Sequence, residues 1–282
     1  MNCLRGFHVN EAFLINLKLE TSMLNPNGLI SMNKLFALLA IFSLQAIAQQ
    51  NPQAPAASST EQLGGTKLSE LDQQKLVKIL QQVQEMRKQN RYTDAIAKLD
   101  EAEKIAPRNG LIHTLRGDVY LAPRRRDFGL AKEEFLKAQQ LEPQNAGPAF
   151  NLAELEFARH DFPTASAAFR KLLTDFPKLP QLIRHLTISR IVICEARQKK
   201  YEEAERLIKE SLTFMDDTPA YYFSHAAISF AKNDKKMAQE WMLRATSLFK
   251  EQQTGPYIDA FKEMRWIPDV DYQALPDPSA VN

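Results

Sequence analysis

A short motif that recurs along the middle of the chain constrains the fold more than any other feature. Four copies read aromatic residue, two further residues and alanine, and a fifth copy keeps the alanine but lacks the aromatic residue. The alanines of the five copies are Ala95, Ala131, Ala165, Ala204 and Ala238. Successive alanines are 36, 34, 39 and 34 residues apart. A nearly constant period of this length is typical of proteins built from stacked structural repeats.

The residues after each alanine predict an amphipathic helix. Four positions later the chain carries a large apolar residue, at Leu99, Phe135, Phe169, Ile208 and Met242. Seven positions later the residue is mostly small, at Ala102, Ala138, Leu172, Ser211 and Ala245. Positions i, i+4 and i+7 lie on one side of a helix. In the first three copies a proline then ends the helix, at Pro107, Pro143 and Pro177.

A second helical pattern precedes each alanine and is clearest in residues 111–121 and 149–155. Gly117, Ala153 and Ala226 occupy equivalent small positions in it, once a two-residue insertion within 123–126 is allowed for. Small side chains permit two helices to approach closely. Each repeat unit is therefore predicted to be a pair of helices.

These motifs resemble those of the tetratricopeptide repeat (TPR) family. The resemblance implies an all-α fold, an α-solenoid in which about five antiparallel helix pairs form a right-handed superhelix, followed by a C-terminal capping helix. The repeat domain is expected at 67–266, with units at 76–109, 110–145, 146–179, 180–218 and 219–252 and the capping helix at 256–266. The first helix of unit four is expected to be long and buried on several sides, because its apolar residues lie nearly all round it.

The resemblance also implies that the first helix of each pair lines a concave groove that binds a peptide or helix of another protein. The matching positions here are Leu111, Thr114, Asp118, Leu121, Phe150, Glu154, Phe157, Phe223 and Phe230. Phe150 and Phe157 are seven residues apart, and Phe223 and Phe230 repeat that spacing two units later. The alternative is that these rings pack against the neighbouring pair or against the long helix of unit four.

The N-terminal region has the pattern of an export signal. Residues 32–48 combine a cationic start, an apolar run and small residues before Gln49, which predicts a secretory signal peptide cleaved after Ala48. Residues 1–31 are then a doubtful leader or a start-site error, 49–66 a flexible linker and 267–282 a loosely ordered tail. The predicted location is periplasmic or secreted. If the leader is not cleaved, it tethers the chain to a membrane.

The remaining sequence features argue against several function classes. Thirty-six Lys and Arg face 34 Asp and Glu, so no single-sign field favours nucleic acid. Arg124, Arg125 and Arg126 are too few for nucleic acid and predict a solvated loop or a contact with an acidic partner or lipid headgroup. Cys194 is expected to be a small buried hydrophobe.

The sequence contains no HExxH, GxSxG or phosphate-loop motif, so we predict no catalytic site, metal, cofactor or small-molecule substrate. These features favour an exported, non-catalytic scaffold or adaptor that binds a partner protein, in the context of cell-envelope assembly. The alternatives are a membrane-tethered assembly platform and a non-catalytic subunit of an envelope enzyme complex.

Overall fold

The computed structural model describes residues 68–269, and all regular secondary structure within that range is α-helical. The predicted leader, signal peptide, Ala48 cleavage site and linker, and all but the first three residues of the predicted tail, lie outside the described residues. The helices are α1 (Glu70–Lys88), α2 (Tyr92–Ile105), α3 (Gly110–Leu121), α4 (Phe128–Leu141), α5 (Ala146–Ala158), α6 (Phe162–Asp175), α7 (Gln181–Arg197), α8 (Tyr201–Ser211), α9 (Ala220–Ala231), α10 (Lys235–Leu248) and α11 (Glu251–Glu263).

The helices pack as five consecutive pairs, α1–α2 to α9–α10, followed by α11. Each pair also contacts the next pair, as in a solenoid. This architecture confirms the all-α repeat prediction. Helix α7, the first helix of unit four, has 17 residues, and residues 185–196 are all buried, as its apolar pattern predicted.

Short-range signals explain where the second helices begin and end. Helices α4, α6 and α10 begin after an aspartate whose carboxylate accepts a backbone N–H of the first turn. The cap residues Ala106, Glu142 and Phe176 end α2, α4 and α6, with φ between −135° and −122° and ψ between 66° and 72°. Each directly precedes a proline, which disfavours helical geometry in the residue before it.

The turn after each first helix uses a residue in the left-handed conformation. The residues with positive φ are Asn90, Arg126, His160, Lys199 and Asn233, one in each unit, and Arg265 after α11. This conformation costs a residue with a Cβ roughly 1–2 kcal/mol, which the packing of the pair must offset. Helix α11 ends with the same backbone hydrogen bond, between residues five positions apart, as α1, α5, α7 and α9, so it has the local geometry of a further first helix.

Gly117 marks the closest approach between α3 and α4. A Cβ at this position would lie 2.4 Å from Cε1 of Phe135. We expect Gly117→Ala to lower the free energy of unfolding by about 1–3 kcal/mol, because the buried ring must move. Gly129→Ala is the matched control, since its Cβ would meet only Oδ1 of Asp127 at 3.8 Å. Urea unfolding of both variants checks this, and equal stability of the two would contradict the packing interpretation.

Within residues 68–269, no helix combines the length and the apolar character needed to cross a membrane.

Candidate protein-binding surface

The first helices α3, α5, α7 and α9 form one side of the solenoid, which we call the first-helix side. Helices α3 and α5 contact each other, as do α7 and α9, and most of their side chains are buried. All groove candidates from the sequence lie on three of these helices, α3, α5 and α9. All of them are buried except Leu111, which is half-buried, so they do not form an open surface in this conformation.

Two of the candidates belong to the apolar core of units two and three. The Phe150 ring meets the Phe169 ring of α6 edge-on, with centroids 5.6 Å apart. Leu121 belongs to a cluster with Phe135 and Leu155. The Phe150 contact lies within its own pair, and the Leu121 cluster joins units two and three, so both residues contribute to the core.

Of three candidates on α3, Asp118 links units one, two and three, Leu111 packs towards unit one, and Thr114 bonds its own helix. The Asp118 carboxylate lies 3.4 Å from the Arg87 guanidinium of α1 and accepts a hydrogen bond from Asn151 of α5 at 3.3 Å. Burial raises the pKa of Asp118 to about 7, although Arg87 opposes the shift. The Thr114 hydroxyl donates to its own helix at Gly110 O, and Leu111 packs against the apolar cluster of α1 and α2.

Two candidates on α9 contact α11 directly. The Phe223 ring stacks on Tyr257 with centroids 5.2 Å apart and also contacts Phe261 at 5.5 Å. The Phe230 ring contacts Phe261, at 5.4 Å, and Trp266, at 5.5 Å, and these two rings also contact each other. An aromatic wall on α9 therefore holds one face of the last helix.

The buried Arg190 of α7 links α5 and α11, through an ion pair with the first and a hydrogen bond to the second. The Arg190 guanidinium donates to Oε1 of Glu154 at 2.6 Å and to the backbone carbonyl of Pro256 at 3.0 Å. Its Cζ also lies 5.4 Å from the centre of the Phe157 ring. Burial raises the pKa of Glu154, and the attraction of Arg190 opposes that shift. The candidates Glu154 and Phe157 thus hold the arginine that binds α11.

The far end of α11 reaches the turns of units two and three. Oε2 of Glu263 lies 2.5 Å from Nη2 of Arg126, and Oε1 lies 3.8 Å from Nε2 of His160. The capping helix was expected to cover the open end of the solenoid, and its contacts with α9 and α10 do so. Helix α11 also extends across the first-helix side, because Arg126 binds its last turn. The sequence alone predicted that Arg126 lies in a solvated loop or contacts an acidic partner or a lipid headgroup.

Helix α11 carries groups that weaken it as an isolated helix. Gly255 and Pro256 lie within it, and in a helix interior these residues cost about 1 and 3 kcal/mol relative to alanine. The Asp259 carboxylate is buried, and its Oδ2 accepts no hydrogen bond from the described residues. Tertiary contacts, and not local propensity, therefore keep this segment helical.

We expect Asp259 to make the stability of the chain depend on pH. Burial raises the pKa of Asp259 from 3.8 to about 7, with Lys262 and Arg190 opposing the shift. The folded chain binds this proton more tightly than the unfolded chain, so the stabilisation is complete below about pH 4 and is lost as the pH rises through 7. Asp259→Asn is therefore expected to raise the free energy of unfolding at pH 8, by roughly 1–4 kcal/mol, and to change it little at pH 4.

Urea unfolding at the two pH values tests this expectation. Asp217→Asn, which alters an exposed carboxylate next to α11, is the matched control and should leave the pH dependence unchanged. An equal loss of stability at both pH values in Asp259→Asn would show that the carboxylate acts through its contacts and not through its charge.

Two further expectations from the sequence concern metal ligands and the cysteine. No cluster of three or more His, Cys, Asp or Glu side chains that could hold a metal lies within residues 68–269. Cys194 is buried, as the sequence predicted, and burial raises the pKa of its thiol. Sequence reasoning missed the roles of Arg126, Arg190 and Trp266, for which no local motif provides a signal.

Comparison with known proteins supports the fold. The sequence matches no protein-family model and no curated protein. The chain is similar in structure to a tetratricopeptide repeat protein from Parabacteroides merdae, with 14% sequence identity, a TM-score of 0.52, and coverage of 92% of this chain and 85% of that one. It is also similar to PilW, a type IV pilus biogenesis factor, with 19% identity, a TM-score of 0.50, and coverage of 73% and 98%. These likenesses show that the chain has a tetratricopeptide-type helical solenoid fold.

Proposed function

We propose that this chain is an exported, non-catalytic scaffold that binds a helix or peptide segment of a partner protein on the first-helix side. One observation carries the proposal: that side already holds an amphipathic helix, α11, through aromatic contacts, a hydrogen bond from Arg190 to a backbone carbonyl and the ion pair between Arg126 and Glu263. A surface that binds one helix in this way has the apolar wall and the fixed charges needed to bind another. The helical-repeat fold supports the same conclusion.

Crosslinking in the source cells, followed by purification of the chain under denaturing conditions, tests this function. We expect a partner protein to be recovered with the native chain and lost with Phe223→Ser/Phe230→Ser. The matched control is Leu243→Ser/Leu248→Ser, which changes two residues of α10 that are 69% and 63% exposed, and it should retain the partner. Thermal melting of the purified variants checks that each is folded, so that a lost partner can be assigned to the surface. Recovery of no partner, or turnover of a small molecule by the purified chain, would contradict the proposal.

The proposed export rests on residues 32–48, whose pattern is that of a cleaved signal peptide. N-terminal sequencing of the protein recovered from the cell envelope or medium is expected to begin at Gln49. A product that retains residues 32–48 and stays with the membrane after a salt wash would instead favour the tethered form.

A further inference from the structure

The way α11 is bound indicates what kind of partner the first-helix side accepts. We propose that α11 is a displaceable occupant of this side, and that the partner is a helix with two aromatic residues four positions apart and a carboxylate two positions after the second. These groups correspond to Tyr257, Phe261 and Glu263 of α11. The inference rests on the proposed function. It adds the chemistry of the partner helix and states that α11 covers the surface when no partner is bound.

The contacts of α11 define the pattern that a partner must reproduce. Tyr257 and Phe261 lie on one face of the helix because they are four residues apart, and both contact Phe223. Glu263 extends from the last turn to the Arg126 guanidinium in unit two. The Arg190 guanidinium donates to the backbone carbonyl of Pro256, and the carbonyl at the same position of another helix can accept the same bond. Three side chains and one carbonyl thus specify the position and the direction of the bound helix.

The composition of α11 makes it a weak occupant. A partner helix without an internal Gly-Pro pair would not carry the propensity cost of Gly255 and Pro256, and a partner with a neutral residue in place of Asp259 would bury no unpaired carboxylate oxygen. The advantage of α11 is its tether, because α10 ends at Leu248 and α11 begins at Glu251. A tether of two residues maintains a high effective concentration, which an external helix must overcome.

Hydrogen exchange on the full chain tests whether α11 opens independently of the solenoid. We expect the amides of α11 to exchange at least about 100-fold faster than those of α7 and α9, because local opening requires less free energy than global unfolding. Equal protection of α11 and α7 would overturn the proposal, since α11 would then open only when the whole chain unfolds.

A labelled peptide with the sequence of residues 250–268 tests whether the freed surface binds a helix of this chemistry. We expect this peptide to bind the full-length Tyr257→Ala/Phe261→Ala variant at least about tenfold more tightly than the native chain. The reason is that the altered α11 of the variant no longer competes with the peptide. The peptide with Phe261→Ala should bind weakly. The matched control is the Leu243→Ala/Leu248→Ala variant, which should bind the peptide no more tightly than the native chain does.

Equal binding of the peptide to both chains, or no binding to either, would overturn the proposal. Loss of helical circular dichroism over the whole of the Tyr257→Ala/Phe261→Ala chain would also overturn it, because α11 would then be an integral part of the core. These outcomes are separate from the cellular test of function. If α11 is rigid but the crosslinked partner is still lost with Phe223→Ser/Phe230→Ser, the scaffold function stands and only the displacement by a partner helix fails.

Discussion

Replacing Arg190 by methionine is expected to lower the free energy of unfolding by about 3–5 kcal/mol at pH 8. Arg190 and Glu154 are both buried, and their side chains are 2.6 Å apart. Without the guanidinium, the Glu154 carboxylate stays in the interior with no ion-pair partner there, and Pro256 loses the donor that binds its carbonyl. Chemical denaturation followed by circular dichroism measures the loss.

The pH dependence and a double variant separate charge from packing. Burial raises the pKa of Glu154, and we expect removal of Arg190 to raise it further, so the folded variant binds the proton more tightly than the unfolded variant. The destabilisation should therefore be smaller at pH 5 than at pH 8. Glu154→Gln/Arg190→Met should recover most of the stability, because neither charge then remains buried. A double variant as unstable as Arg190→Met would contradict this account.

Phe150→Ala is expected to destabilise the whole solenoid, by about 3–5 kcal/mol. Its ring is fully buried against Phe169 within unit three, so the substitution leaves a cavity between α5 and α6. Phe223→Ala removes a ring of the same size, but one that faces α11. Its effect should appear first as faster hydrogen exchange in α11, with less change in the α5 amides.

Thermal melting combined with hydrogen exchange checks this pair of variants. The sequence places Phe150 and Phe223 at the same phase of the repeat, so a groove role for both predicts the same behaviour. If Phe150→Ala melts like the native chain and loses only partner binding, Phe150 belongs to a binding surface and its assignment to the core is wrong.

The local features of the fold could be predicted from the sequence because they depend on neighbours in the chain. The aromatic-to-alanine motif fixed the register of the second helices, and the prolines fixed their ends within two residues. The turns after the first helices were harder to predict from the sequence. Their left-handed residues are asparagine, arginine, histidine or lysine, with no glycine to mark them, because the packing of each pair stabilises a conformation that local sequence disfavours.

The candidate surface could be predicted only in part, because it depends on contacts between distant segments. Repeat phase identified Phe223 and Phe230 as side chains of a first helix, but not the segment that covers them. Arg126 and Glu263 are 137 residues apart, and neither lies in a motif that indicates the other. The capping helix was expected at 256–266, but it is continuous from Glu251 to Glu263, because the tertiary contacts of Tyr257 and Phe261 keep Pro256 within it.

The contact between Arg126 and Glu263 tests most directly that α11 lies across the first-helix side from unit five to unit two. In a double-mutant cycle of Arg126→Met and Glu263→Gln, measured by urea unfolding, we expect a coupling free energy of about 1–3 kcal/mol. The cycle isolates this pair from the other contacts of each residue. Strictly additive effects of the two substitutions would show that the end of α11 does not reach unit two, and would contradict the account.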